Sequence, residues 1–129
     1  MDGHVFIGVD TGTRFFRLLG ASGRPEPDPS LTNPFDAFNH RPQPAGSDNY
    51  FVGSAALTSA GFCIVGNDNY ALYALSNTDL ALETLRPTGG VACSSPAVSY
   101  AAESSCRWTY VISRTGGGVL LAYRQQWSP

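Results

Sequence analysis

The sequence predicts an all-β protein built from short antiparallel strands. Three segments, at 5–19, 62–75 and 110–123, each contain an apolar run, a cluster of turn-forming residues and a second apolar run. This is the pattern of a β-hairpin. The chain also contains 14 glycines and 9 prolines among its 129 residues, a frequency of turn formers that disfavours a helical bundle.

The length and composition indicate one domain with a hydrophobic core. Hydrophobic residues make up 43% of the chain and aromatic residues 12%, and these values argue against disorder. A globular chain of this length buries roughly two thirds of its unfolded surface. Charged residues make up only 14% and the net charge is −2, so the basic surface of a nucleic-acid-binding protein is missing and no nucleic-acid partner is expected.

Neither a membrane span nor a signal peptide is expected. No window approaches the roughly 18 consecutive apolar residues that a transmembrane helix needs. The first segment, MDGHVFIGVD, lacks the basic stretch and apolar core of a signal peptide. These observations favour a cytoplasmic or organellar location without identifying the compartment.

The hairpins belong to a longer internal repeat. Strands of small residues centred on Ala56–Leu57 and Ala97–Val98 precede the second and third hairpins, and equivalent serines in these strands are 41 residues apart. Equivalent leucines of the two hairpins are 48 residues apart. A fourth strand is expected at 80–87 in the second unit and at 125–128 in the third. The first and third hairpins align without a gap.

A unit of this length with three or four antiparallel strands is typical of a β-propeller blade. The small residues at the start of each unit fit the innermost strand, where blades converge. We therefore predict one partial propeller over residues 1–129, with blade units at about 1–23, 50–88 and 91–128 and a long Pro-rich loop at 24–50. A β-sandwich whose segments are alike by chance is the alternative.

The predicted ring is incomplete within one chain. The first unit lacks its inner strand unless that strand lies before Met1, and closed propellers have at least about four blades. An open arc leaves sheet edges and an apolar flank uncovered, and such surfaces favour association. We therefore expect a protein partner or self-association to complete the ring, or a longer propeller of which this chain is a part.

Three short stretches carry a family resemblance. SSPAV (94–98), LYAL (72–75) and DGHVFIG (2–8) resemble the repeats of pyrroloquinoline-quinone-type (PQQ-like) β-propellers. That family includes quinoprotein alcohol dehydrogenases, an outer-membrane assembly lipoprotein and propeller domains appended to adenylate-forming enzymes. The resemblance thus implies the propeller and not one activity.

The chain departs from the quinoprotein enzymes at the stretch that docks their cofactor. In the quinoprotein enzymes a T-G-x-x-x-W stretch follows L-Y-A-L, whereas this chain has SNTDLALETL there, without the Gly or the Trp. No cofactor is therefore expected, and PQQ with calcium is the alternative. The leading hypothesis is a non-catalytic binding or assembly module. A fragment or subunit of a PQQ-dependent dehydrogenase is the second.

A third hypothesis concerns the first hairpin, FIGVDTGTRFFRLLGASG (6–23). It resembles the phosphate-binding hairpin of the sugar kinase, actin and heat-shock ATPase superfamily. In that resemblance Asp10 would organise a metal ion, and the amides of Gly12 and Thr13 would approach phosphate. The chain is too short for the two-lobed fold of that superfamily, so this hypothesis ranks last.

No catalytic set and no metal site are expected. His4 and His40 are far apart and belong to no ligand cluster, and Glu83 and Glu103 lie in different units. The protein is therefore interpreted as a non-enzyme unless the dehydrogenase alternative holds.

The cysteines are odd in number and show no metal-ligand spacing. Cys63, Cys93 and Cys106 are expected to be free thiols in a reducing compartment. A Cys93–Cys106 disulfide is the alternative if the chain is exported.

The alternation of strands places the hairpin turns and the long connections at the same end of the sheets. Loops on a rigid scaffold often bind ligands, so this end is the candidate functional face, with ordinary turn chemistry as the alternative. Its candidate residues are Asp10, Arg14, Asn67, Asp68, Asn69 and Arg114. In the Pro-rich loop, Phe35 and Phe38 are expected either to pin the loop to the body or to contact a partner.

Overall fold

The computed structural model confirms the all-β prediction. It describes residues 3–8, 13–25, 33–39, 50–51, 53–58, 60–92, 94–99, 108–114 and 117–124. Within these ranges ten strands form three antiparallel sheets, none of them closed into a barrel, and there is no α-helix.

The first sheet has the strand order β1-β2-β3. β1 (His4–Gly8) and β2 (Arg14–Leu19) form the predicted first hairpin, with Gly8 opposite Phe15. β3 (Phe35–Asp36) adds to the other edge of β2 and runs into a short 3-10 turn, Ala37–Asn39. Among the described residues β1 is therefore an edge strand.

The second sheet has four strands in sequence order. They are β4 (Ala56–Leu57), β5 (Phe62–Asn67), β6 (Ala71–Ser76) and β7 (Leu82–Pro87). The short inner strand and the outer strand were both predicted. Just before the inner strand, Gly53 and Ser54 lie close to the segment that leads into the third sheet, where the Ser54 amide donates to Ser95 Oγ at 2.8 Å.

The third sheet repeats this order with three described strands. They are β8 (Ala97–Val98), β9 (Trp108–Ser113) and β10 (Val119–Arg124). The inner strands β4 and β8 contact each other. The outer strand expected at 125–128 lies outside the described residues.

The second sheet is the middle layer of a stack of three. Alternate side chains of a strand point to opposite faces of its sheet, and both faces of β5 and β6 are buried. One face, with Val65 and Tyr73, packs in a core cluster with Phe15 of the first sheet. The other face, with Ile64 and Leu72, packs in a second cluster with residues of the third sheet.

Four aromatic rings form the centre of the contact between the first and second sheets. The ring centroids of Phe15 and Phe51 are 5.3 Å apart, and those of Phe35 and Tyr73 are 5.5 Å apart. The Phe51 and Tyr73 centroids are 6.0 Å apart. Tilted and edge-on pairs at such distances each contribute about 0.5–1.5 kcal/mol beyond the area that they bury.

The segment that enters each new sheet passes close to a glycine of the preceding sheet. Phe51 lies against Gly8, and Ala92 lies against Gly66, where a Cβ would be 2.8 Å from Ala92 Cβ. These entering residues also pair with the next sheet, because Phe51 bridges to Asn67 and Ala92 to Ser113. A side chain at either glycine would push the two sheets apart.

One part of the predicted repeat is wrong by a residue. The gapless alignment of the first and third hairpins makes Ser113 the equivalent of Gly8. In the structure, however, Gly8 lies against the segment that enters the next sheet, whereas Ser113 pairs with the segment that enters its own sheet. The registers make Gly8, Gly66 and Ile112 equivalent instead, opposite Phe15, Leu72 and Leu120. A shift of one residue reverses the face of every side chain in a strand.

The Pro-rich segment 24–50 is less irregular than predicted in its described part. Phe35 is fully buried, and Asn33 Nδ2 donates to the Arg17 carbonyl at 2.8 Å. The Arg17 amide donates back to Asn33 Oδ1 at 3.2 Å. These contacts hold β3 as the outer strand that completes the first sheet.

The Gly66→Ala variant is expected to lose roughly 1–3 kcal/mol of unfolding free energy, because the new methyl group overpacks the contact with Ala92. Urea unfolding measures this loss. Gly3→Ala is the matched control, since a Cβ at Gly3 meets nothing within 4 Å. Equal midpoints for the two variants would show that the close approach does not matter.

Burial in the core raises the pKa of the Cys63 thiol from 9.0 to about 12. We expect iodoacetamide at pH 8.5 to modify Cys63 only after unfolding in denaturant, and peptide mass mapping separates it from the other two cysteines. Because the pKa of the folded state is the higher one, the stability that the neutral thiol contributes is complete below pH 9.0 and is lost as the pH rises towards 12. Rapid labelling in native buffer would contradict this.

Candidate functional site

The turn after β5 brings together three of the predicted site residues, but two of them are fully buried. The Asn69 amide donates to Asn67 Oδ1 at 2.8 Å, and Asn69 Nδ2 donates to the Tyr73 hydroxyl at 2.6 Å. Asn67 and Asn69 have no exposed surface. Their side chains therefore shape the hairpin and are not presented to a ligand.

Asp68 ties the segment entering the second sheet to this turn. Its carboxylate accepts a hydrogen bond from the Tyr50 amide at 2.7 Å, and its own amide donates to the Tyr50 carbonyl at 2.9 Å. The pair of bonds fixes Tyr50 and therefore the aromatic ring of the next residue, Phe51. In the structure, Asp68 thus holds the connecting segment in place.

The two arginines of the predicted set lie on different sheets. Arg14 begins β2, and Arg114 directly follows β9; both are exposed. The Arg114 amide donates to the Val91 carbonyl at 2.9 Å, so its backbone anchors the segment entering the third sheet. Asp10 lies outside the described residues.

The turn that would bind phosphate in the nucleotide hypothesis is described only at its last residue. Asp10 and Gly12 lie outside the described residues, whereas Thr13 is described. The Thr13 hydroxyl donates to Asp36 Oδ1 at 2.5 Å, and the Thr13 carbonyl accepts from the Ala37 amide at 2.9 Å. Thr13 thus connects the first hairpin to β3.

The two phenylalanines of the Pro-rich segment differ in their surroundings. Phe35 is buried between Phe51 and Tyr73, so its interpretation as a partner contact gives way to the alternative that it pins the segment to the body. Phe38 is exposed on the 3-10 turn. Of the two, only Phe38 has an exposed side chain, and its role as a partner contact stays a prediction.

The third sheet exposes its more apolar face. In β9 the residues Thr109, Val111 and Ser113 are buried against the second sheet, whereas Trp108, Tyr110 and Ile112 face away from it. Ile112 is 45% exposed, and its partner in β10, Leu120, is 66% exposed. We call this surface the outer face of the third sheet; it consists of Trp108, Tyr110, Ile112, Leu120 and Ala122.

The first sheet also has an uncovered apolar face, at the opposite end of the stack. Val5 and Ile7 are 49% and 47% exposed, and they pair across the hairpin with Leu18 and Phe16. We call these four residues the outer face of the first sheet. The sequence predicted an apolar flank, but which residues form it depends on which face of each strand is covered.

The sequence of β9 contains a signal for the outer face of the third sheet. WTYVIS alternates two sets of residues, Trp, Tyr and Ile against Thr, Val and Ser. A monomeric protein normally buries the more apolar set. Only the neighbouring second sheet, which lies against the less apolar set, reveals that the order is reversed.

Comparisons with known proteins add no family assignment. No family model matches the chain, and a search of the curated proteins found no match. In the described parts of the chain, His, Cys, Asp and Glu form no group of three or more that could hold a metal ion. None of the helical segments described there has the length and apolarity needed to cross a membrane.

The Asp68→Ala variant is expected to lose roughly 1–3 kcal/mol of unfolding free energy, because the Tyr50 amide loses its acceptor. Urea unfolding measures the loss. Asp68→Asn is the control, since it keeps an acceptor oxygen and is expected to lose less. An Asp68→Ala protein as stable as the wild type would contradict the structural role.

Proposed function

We propose that this protein is a non-catalytic assembly module of the β-propeller type, which associates with other blades through the outer face of the third sheet. The observation that carries the proposal is the reversed burial of β9, where Trp108, Tyr110 and Ile112 are exposed while Thr109 and Ser113 are buried. Contiguous exposed apolar surface of this kind marks interaction sites.

The shape of the surface favours a β-sheet as the bound partner. The outer face of the third sheet is a two-stranded, pleated surface, with Leu120 opposite Ile112 and Ala122 opposite Tyr110. Within the chain, the equivalent surface of the second sheet packs against residues of the third sheet and against Ala92 of the segment that enters it. Face-to-face packing of sheets is thus the contact that this sequence already uses.

The repeated construction of the sheets supports the propeller interpretation. The second and third sheets share the same strand order and the same inner-strand register, with Ala56 opposite Ile64 and Ala97 opposite Tyr110. The inner strands of these two sheets meet, as converging blades require. The three sheets would form an open arc with one uncovered face at each end.

The use of the polar turn residues supports a non-catalytic role. Asn67, Asp68 and Asn69 are the predicted site residues that the structure brings together, and the hydrogen bonds described above serve the hairpin and Tyr50. Side chains committed in this way have little freedom to bind or activate a substrate.

Association requires that several side chains of the face are covered together, because one side chain contributes too little free energy. Covering the exposed half of one large apolar side chain gains roughly 1 kcal/mol. Association costs at least about 4 kcal/mol in lost translation and rotation. Several side chains must therefore be covered together, and a charge introduced among them both removes apolar area and must be desolvated.

The Ile112→Asp variant is expected to lose association by at least about tenfold in affinity, which corresponds to about 1.4 kcal/mol. Sedimentation velocity over a hundredfold range of concentration follows the change from oligomer to monomer. The matched control is Leu57→Asp, because Leu57 is 53% exposed and lies on the second sheet, outside both outer faces.

Two results would overturn the proposal. One is a wild-type protein that stays monomeric over the whole range. The other is an Ile112→Asp protein that associates as the wild type does. Far-UV circular dichroism confirms that the variants remain folded.

A further inference from the structure

We infer that the outer face of the third sheet is covered by the outer face of the first sheet of a second copy, in a head-to-tail contact. This inference rests on the function proposed above and adds the identity and the orientation of the bound sheet. It follows from how the three sheets of one chain pack on each other.

Each sheet has two faces that differ in what covers them. The leading face of a sheet is the face on the side of the next sheet along the chain, and the trailing face is the opposite one. For the third described sheet, the leading face is the one that points away from the second sheet. Phe6 and Phe15 lie on the leading face of the first sheet, and Ile64 and Leu72 on that of the second. By the strand registers, the outer face of the third sheet is its leading face, and the outer face of the first sheet is its trailing face.

Both contacts inside the chain join a leading face to a trailing face. The trailing face of the second sheet, with Val65 and Tyr73, is buried by the first sheet. The trailing face of the third sheet, with Val111 and Leu121, is covered by the second. A two-fold symmetric dimer would instead join two identical faces, an arrangement that neither contact uses. Continuation of the same packing brings the trailing face of a first sheet onto the uncovered leading face.

The two uncovered faces are therefore the two halves of a contact that the chain makes twice internally. Ile7 and Phe16 on the first sheet occupy the positions that Val65 and Tyr73 occupy on the second. At those positions the second sheet is completely buried. Apolar residues are thus retained on the first sheet at positions that only a preceding sheet would cover.

The size of the side chains indicates a separate chain as the occupant. Three of the five positions on the leading face of the third sheet carry a larger side chain than the second sheet does, and none carries a smaller one. In order, Phe62, Ile64, Gly66, Leu72 and Ala74 correspond to Trp108, Tyr110, Ile112, Leu120 and Ala122. A contact between separate chains must offset about 4–15 kcal/mol of association cost that linked sheets do not meet, and larger apolar side chains contribute to this.

Ile112 also makes the contact different from the internal ones. Gly8 and Gly66 leave room for Phe51 and Ala92, the entering residues of the next sheet in the same chain. At the equivalent position the Ile112 side chain occupies that room. A sheet from another copy has no connecting segment that must cross at this point. Such a sheet therefore fits the third sheet better than a further sheet linked in the same way as the first three.

Two charge variants and their mixture test the orientation. Ile7→Asp damages the outer face of the first sheet, and Ile112→Asp damages that of the third; each side chain is nearly half exposed, so the fold tolerates the charge. Each variant alone is expected to be monomeric in sedimentation velocity. Their equimolar mixture is expected to form a one-to-one dimer, since each partner supplies the intact face that the other lacks.

The dimer of the mixture is also expected to stop at two copies, because both of its free faces are damaged. Wild-type protein, with two intact faces, is expected to form larger species. Leu57→Asp is the control for an added charge and is expected to behave as the wild type. Val5→Asp, on the same face as Ile7, replaces Ile7→Asp if that variant fails to fold.

Failure of this inference differs from failure of the proposed function. If Ile7→Asp alone associates as the wild type while Ile112→Asp does not, two third sheets face each other and the head-to-tail contact is wrong. If the mixture stays monomeric while the wild type associates, the orientation is also wrong, although association stands. A monomeric wild type overturns both.

Discussion

The need to cover both faces of the second sheet is the constraint on which the structure depends. β5 and β6 carry apolar side chains on both faces, from Cys63 and Val65 on one to Ile64 and Leu72 on the other. An antiparallel sheet of this kind is stable only as the middle layer of a stack. The first and third sheets cover these two faces. Their own outer faces are also apolar, so each of them also has a face that is stabilised by being covered.

The polar turn residues serve this stacking. Sheets that pack face to face must be connected by segments that cross from one to the next, and such segments carry backbone groups that need partners. Tyr50 obtains them from Asp68, and Val91 accepts from the Arg114 amide. Two residues of the candidate binding face, Asp68 and Arg114, therefore anchor the crossings, whereas the buried Asn67 and Asn69 side chains bond within the hairpin.

The sequence was sufficient for the local structure and insufficient for the packing. The three hairpins, the short inner strands and β7 follow from apolar alternation and turn residues, which act over a few residues. β3 was missed because Phe35–Asp36 is too short to show a period and is fixed by Phe51 and Tyr73, which are distant in sequence. The sequence also could not predict which face of β9 is buried, because the neighbouring second sheet decides this and not the strand itself.

The polarity of the stack determines which assemblies are open to it. A contact that joins unlike faces generates a ring if its rotation closes and a filament if it does not. In the internal contacts Gly8 and Gly66 leave room for the entering residues, whereas in the proposed contact between copies the Ile112 side chain would fill the equivalent position. Whether the proposed contact closes a ring would then depend on the side chains of two surfaces, the outer faces of the first and third sheets, with Ile112 among them.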